Sequence, residues 1–313
     1  MIIAPIRKIK PKKGALMKKV IREWQIYLLL LPTIIYFLVF AYYPMYGAQI
    51  AFRNFVPVKG IWDSDWVGLK HFVRFFTSPF FKQIVGNTLR ISFYSLIAGF
   101  PFPIILALLL NYQRHKKFTK IVQTVSYAPH FISVVVLVGM LQVFLSPSRG
   151  PVAHIIANFG GKMGNILASK NAFDHLYVWS GIWQGMGWSA IIYIGALTGI
   201  NPELHEAAVV DGATILRRIW SIDLPSILPT IVLLLIMNCG SLLSVGFEKV
   251  YLMQNSVNAP VSEVISTYVY KQGIQGAQFS FSSAVGLSNS VVNFTMLVIV
   301  NTISRKLTNS SLF

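Results

Sequence analysis

The sequence predicts an all-α, polytopic membrane protein with six transmembrane helices and both termini in the cytoplasm. Three observations predict it. Of 313 residues, 54% are hydrophobic and 12% charged, about half the charge of a soluble domain. The apolar residues gather into six runs of about twenty, enough at 1.5 Å per residue to cross roughly 30 Å of hydrocarbon. The lysines and arginines, 27 against 10 acids for a net charge of +17, alternate in density from loop to loop as the positive-inside rule requires. Charge spread over membrane flanks, and not over one folded face, also excludes nucleic acid as its partner. Cys239 is the single cysteine, which excludes an intrachain disulfide framework or a thiolate metal site.

Residues 1–23 form a basic cytoplasmic segment carrying Arg7, Lys8, Lys10, Lys12, Lys13, Lys18, Lys19 and Arg22. A signal peptide also begins with basic residues. Here the apolar run is too long and aromatic and no small-x-small site follows, so it reads as an uncleaved first span. Residues 24–313 form a single transmembrane domain with spans at 24–46, 89–110, 125–145, 177–200, 225–247 and 284–304. Pro32, Pro101, Pro103 and Pro129 lie inside the first three and predict kinks, which neighbouring helices and waters make tolerable. Gly181 with Gly185, and Gly195 with Gly199, have the spacing of close helix contacts. The N-terminus, the connections 112–123 and 201–224 and the C-terminal tail hold 16 basic residues, against 10 in the three longer loops between them. The former are therefore assigned to the cytoplasm.

The connection 201–224 is punctuated as structure. Asn201 is suited to cap a helix, Pro202 fits its first position, and Glu203 and Glu206 complement the positive end of its dipole. Gly212 supplies a left-handed stop, and a second short helix over 213–221 is expected to end before Leu224-Pro225. Ala207 and Ala208 leave a thin ridge able to enter a partner's groove, with the Glu206 carboxylate beside it. Four of the ten acids, Glu203, Glu206, Asp211 and Asp223, fall in this connection.

Glu206-Ala207-Ala208, then Gly212, Ile222 and Leu224-Pro225 at their spacing resemble the EAA motif of ABC importer permeases. Val210 stands where isoleucine is more usual, a conservative departure. The resemblance extends over nearly the whole chain and is closest to the carbohydrate branch, polysaccharide permeases of the LplB type. Tyr43 to Gly47, Ala51-Phe52, Trp66 to Leu69, Val209 to Ala213, Thr267 to Tyr270, Ser283 to Leu287 and Ser304 to Leu307 carry it.

The resemblance implies a type I importer fold in which Glu206, Ala207, Ala208, Asp211, Gly212, Ile222, Leu224 and Pro225 couple the permease to a cytoplasmic ATPase. The chain has no Gly-x-x-x-x-Gly-Lys-Ser/Thr loop to cradle phosphates. ATP and magnesium are then expected on two separate ATPase subunits, with no cofactor or metal here. A second, related permease subunit, an extracellular solute-binding protein and an oligosaccharide substrate complete the expected assembly. Trp62, Trp66 and the aromatic stretch 69–81 suit membrane anchoring or contact with the binding protein, for which the polar outer segment 248–282 is the better candidate.

Sugars are held by aromatic faces and by amide or hydroxyl groups. The candidates at membrane depth are Asn238, Ser241, Ser244, Asn289 and Asn293, for which interhelical hydrogen bonding is the structural alternative. Tyr94, Gln142, Trp183 and Tyr193 are further candidates, with packing as theirs. Arg90 suits either substrate or headgroups. An intramembrane enzyme would need acids, histidines or an activated nucleophile at depth. His71, His115, His130, His154, His175 and His205 are scattered without metal-ligand spacing. A permease for another solute fits the motif alone, and an ion-coupled carrier would need ionisable groups at depth.

Overall fold

The computed structural model describes residues 22–308. The basic residues Arg7 to Lys19 and the tail beyond Thr308 lie outside them. Helix α1 (Trp24–Phe37) runs on through a π turn and a 3-10 turn to Phe52, making one apolar helix of 29 residues. No residue of α1 itself is buried. The turn Tyr46–Phe52 ties it to the last helix.

The all-α expectation needs one amendment. Strands β1 (Arg53–Val56) and β2 (Gly60–Trp66) form an antiparallel hairpin. Gly60, at φ +74°, provides the left-handed turn that other residues resist. The Phe55 amide donates to Ser280 Oγ at 2.8 Å, fastening the hairpin to the last helix. Trp62 and Trp66 stay exposed, with the Arg53 guanidinium 5.8 and 5.4 Å from their rings. In α2 (Lys70–Phe76), Phe75 is buried against Phe281, whereas Leu69, Phe76 and Phe80 remain exposed.

The second expected span is α3 (Phe81–Gly99) joined through Phe100 to α4 (Pro101–Asn111), 31 residues in all. The third is not one continuous helix. Helix α5 (Lys116–Tyr127) ends in a 3-10 turn, Ala128–Phe131, and α6 (Val134–Phe144) leaves at 100° to it. Pro129 starts the disruption, and Ser133 caps α6 by accepting from the Val136 amide. The carbonyl orphaned at Ile132 receives the Gln184 amide at 2.7 Å. After α7 (Pro151–Asn158) comes α8 (Phe173–Thr198), 26 residues long. It has the length to cross a bilayer, but its glycines, serines and Gln184 lower its apolarity.

A surface helix, α9 (Pro202–Val210), precedes α10 (Ile215–Arg218) and α11 (Leu224–Gly240). The expected break before Leu224 is absent. A π turn at Ile219–Asp223 absorbs Pro225, which has no N–H to donate, and residues 215–240 form one helix. The fifth expected span ends as a helix at Gly240 and not at 247. Residues 241–246 turn back into the bundle, followed by α12 (Phe247–Met253), α13 (Ala259–Ser262), α14 (Ile265–Tyr270) and α15 (Phe279–Thr308). Among the described residues four helices are long and apolar enough to cross a membrane, or five with the bent pair.

The segment 248–282, expected on the outer side, folds onto the bundle, and its polar residues make the contacts that hold it there. Asn87 donates to the carbonyls of Pro260 and Glu263, both at 3.0 Å, and Thr88 Oγ1 accepts from the Ile265 amide at 3.0 Å. Ile91, Val138, Phe173, Val250 and Val264 form one buried cluster beneath it. Ala107, Ala190, Tyr193 and Ile227 form another between α4, α8 and α11. Contacts between spans stabilise by packing, because lipid is as apolar as leucine.

The glycine spacings mark something other than helix contacts. A Cβ at Gly185 or Gly195 would meet nothing within 4 Å, and one at Gly181 would meet only the Lys249 ammonium, at 3.2 Å. The close approach occurs at Gly187, where a Cβ would collide with the Ser126 carbonyl oxygen of α5.

Candidate functional site: the surface elbow and the cavity above it

Helix α9 is defined at both ends by its own residues. The Asn201 side chain accepts from the Glu203 amide at 3.1 Å. At the other end the Ala213 amide returns to Ala208 O at 2.8 Å, and Gly212 takes φ +73°, the geometry of a left-handed helix stop. Thr214 then caps α10. No residue of α9 is buried. Glu206, Ala207, Asp211, Gly212 and Pro225 are exposed, and Ala208, Ile222 and Leu224 are half-buried. Leu204, Val209 and Val210 add an exposed apolar face.

Beneath the elbow lies a cluster that sequence reasoning missed. Asp223 is fully buried. Tyr112 Oη donates to its Oδ2 at 2.6 Å, and His205 Nε2 lies 3.3 Å from Oδ1. The Arg218 guanidinium covers the Tyr112 ring at 5.3 Å. Burial, reinforced by the hydrogen bond to Asp223, holds the Tyr112 hydroxyl well above its usual pKa, so it remains a donor. Three elements meet here: α9 through His205, the end of α4 through Tyr112 and the base of α11 through Asp223. Glu206 lines the adjoining cleft of about 560 Å³. The one signal in the sequence was an acid two residues before Pro225, at the mouth of an apolar run.

A second feature is a cavity of about 420 Å³ between α3, α4, α8 and α11, adjoined by a pocket of about 180 Å³ at the turn 241–246. Asn238, Ser241 and Ser244 line the smaller pocket with Ser92, Ser95 and Tyr177. Tyr193 and Gln184 line the larger. Gly181 and Gly185 also line it, so their missing side chains make room. The remaining candidates fall elsewhere. Asn293 accepts from the Leu243 amide at 2.9 Å and donates to Ser244 Oγ at 3.0 Å, holding the turn in place. Asn289 is half-buried on α15, outside the cavity lining, with Oδ1 unbonded. Tyr94 bonds His175 at 2.8 Å and accepts from Trp179 at 3.0 Å. Trp183 lines an apolar groove against α6, and Gln142 is exposed on α6. Arg90 pairs with Asp174 at 2.6 Å and donates to Val261 O at 2.8 Å, which occupies it within the chain.

Lys249 of α12 was not singled out by the sequence. It is 8% exposed, donates to Tyr177 O at 2.8 Å and lies 4.7 Å from the centre of the Tyr177 ring. Burial lowers its pKa to about 8, so the ammonium is protonated at neutral pH.

Residues 99–309 match the family described as the inner membrane component of binding-protein-dependent transport systems. The polygalacturonan/rhamnogalacturonan transport system permease protein YteP of Bacillus subtilis is 45% identical over 95% of this chain and 92% of its own. Protein LplB of the same organism is 41% identical over 93% and 92%. A solved bacterial alginate ABC transporter, in complex with a periplasmic protein carrying an alginate pentasaccharide, contains a chain that superposes with a TM-score of 0.87 at 41% identity, covering 94% of this chain and 99% of that one. With two thirds of its length matched and relatives this similar along almost all of it, the chain belongs to the family of inner membrane components of binding-protein-dependent transport systems.

Proposed function

We propose that this multi-pass membrane protein is one of two related, non-identical permease subunits of an ATP-driven importer for oligosaccharides or polysaccharide fragments. One observation carries the reading. A nine-residue helix with no buried residue stands on the surface with its ends fixed, and its His205 packs against Asp223, which Tyr112 joins to the end of α4. Such a helix is a handle. A partner that moves it moves the bases of α4 and α11, which wall the cavity.

In this reading α9 faces the cytoplasm, as do both termini, and α8 completes six spans. Glu206 makes the polar contact with an ATPase subunit that binds ATP and magnesium, Ala207 and Ala208 permit close approach, and Asp211, Gly212, Ile222, Leu224 and Pro225 set the elbow. The exposed α1 is covered by lipid or the second permease subunit. The cavity takes the sugar from an extracellular solute-binding protein, with Tyr177 in its wall and Asn238, Ser241 and Ser244 offering partners to its hydroxyls. The relatives named for polygalacturonan, rhamnogalacturonan and alginate support the substrate class.

The test is uptake of labelled oligogalacturonide by vesicles holding the assembled complex. ATP-dependent uptake that stops when the ATPase subunit is inactivated is expected, and concentrative uptake that persists would favour a carrier. Orientation is read separately. A cysteine placed at Val210 in a Cys239→Ser background should react with an impermeant maleimide only in inside-out vesicles.

A further inference from the structure

The cavity is lined by a buried cation with no counter-ion. Lys249 is 8% exposed, yet no carboxylate lies within ion-pair distance of it among the described residues, and neither pocket is lined by an aspartate or glutamate. Its protein contacts are the Tyr177 carbonyl and the face of the Tyr177 ring, which leaves donor capacity unused, since an ammonium has three. Burying an unpaired charge is costly.

The surroundings keep this ammonium reachable from the cavity. Gly181 gives it room, because a Cβ there would stand 3.2 Å from Nζ. Tyr177, Asn238 and Ser95 line both the larger and the smaller pocket. A sugar in the cavity would therefore have amide and hydroxyl groups on one side and a cation within reach.

We propose that Lys249 binds the carboxylate of a uronic acid residue, which makes the cavity selective for acidic oligosaccharides over neutral ones. This rests on the oligosaccharide reading above and narrows it. The counter-charge missing from the protein is supplied by the cargo, so that an empty cavity holds an uncompensated cation and a loaded one holds an ion pair.

The test uses the complete importer in vesicles, offered an unesterified oligogalacturonide or the same oligosaccharide fully methyl-esterified. Wild-type vesicles should take up the acidic form faster. Lys249→Met should lower uptake of the acidic form about tenfold or more, the loss of a charge-assisted contact, and leave the ester unchanged, whereas Lys249→Arg should retain most of the preference. Equal acidic uptake by wild type and Lys249→Met overturns the proposal, as does an equal fall for both substrates in Lys249→Met. Wild-type uptake of the ester alone, a result that needs no variant to fold, overturns the proposal and leaves the oligosaccharide importer standing. Uptake of neither form by wild type overturns the importer reading itself.

Discussion

Tyr112 donates to Asp223 across 2.6 Å, which joins the end of α4 to the base of α11, and His205 of α9 lies 3.3 Å from the other carboxylate oxygen. Asp223→Asn removes the charge at nearly constant volume, and Tyr112→Phe removes only the donor. A hydrogen bond to a charged group contributes about 1.5–3 kcal/mol. We expect Asp223→Asn to lower uptake per ATP hydrolysed about tenfold and Tyr112→Phe by less. Simultaneous measurement of uptake and phosphate release checks this, and unchanged stoichiometry in both variants contradicts it.

Gly212 tests the elbow through its backbone alone. No atom lies within 4 Å of where its Cβ would be, and its φ is +73°. Any L-residue therefore costs about 1–2 kcal/mol without a clash. Gly212→Val, branched at Cβ, should cost more than Gly212→Ala. The expected result is normal membrane insertion with weakened copurification of the ATPase, graded from alanine to valine. Normal transport by the valine variant would sink the assignment.

Two glycines two residues apart should behave oppositely. Gly187→Ala drives a methyl into the Ser126 carbonyl oxygen, and overpacking of this kind costs about 1–3 kcal/mol. Gly185→Ala meets nothing within 4 Å and should leave stability unchanged while narrowing the cavity. Thermal unfolding in detergent separates the two.

These contrasts show what was legible in the sequence. The elbow was legible because its backbone requirements are written locally: Asn201 as a cap, Pro202 at the first position, Gly212 at a left-handed stop. The apolar runs located long apolar helices but not their breaks, since the π turn at Ile219–Asp223 and the bend beyond Pro129 depend on how neighbours satisfy displaced carbonyls. Glycine spacing predicts helix contact at Gly185 and Gly195 where there is none, because spacing identifies small residues and not what stands opposite them. Lys249 and Tyr177 lie 72 residues apart and meet only after the segment 248–282 folds onto the bundle. No local pattern announces that meeting.

Asn293 and Asn238 looked equivalent in the sequence and differ in the structure. Asn293→Ala strips partners from the Leu243 amide and Ser244, and an orphaned buried donor costs about 1–3 kcal/mol. Its expected signature is a lower melting temperature. Asn238 bonds only its own helix, at Leu234 O, and lines the cavity, so Asn238→Ala should raise KM for the oligosaccharide with little change in melting. Matching effects from the two variants would dissolve the distinction.

The Lys249 ammonium gives the cavity a pH dependence of defined sign. Burial lowers its pKa to about 8, so it is largely charged at pH 7 and largely neutral at pH 9, while uronate carboxylates are ionised throughout. The cavity's other titratable groups are the phenols of Tyr177 and Tyr193. At limiting substrate, the ratio of acidic to methyl-esterified uptake should fall roughly tenfold between pH 7 and pH 9, following the charged fraction of the lysine. Taking the ratio cancels the pH dependence of ATP hydrolysis. Saturating acidic substrate should move the midpoint upward, because a bound carboxylate favours the charged form. Lys249→Arg, whose guanidinium stays charged, should hold the ratio flat over the same range, and a flat wild-type ratio would mean that Lys249 does not meet the cargo.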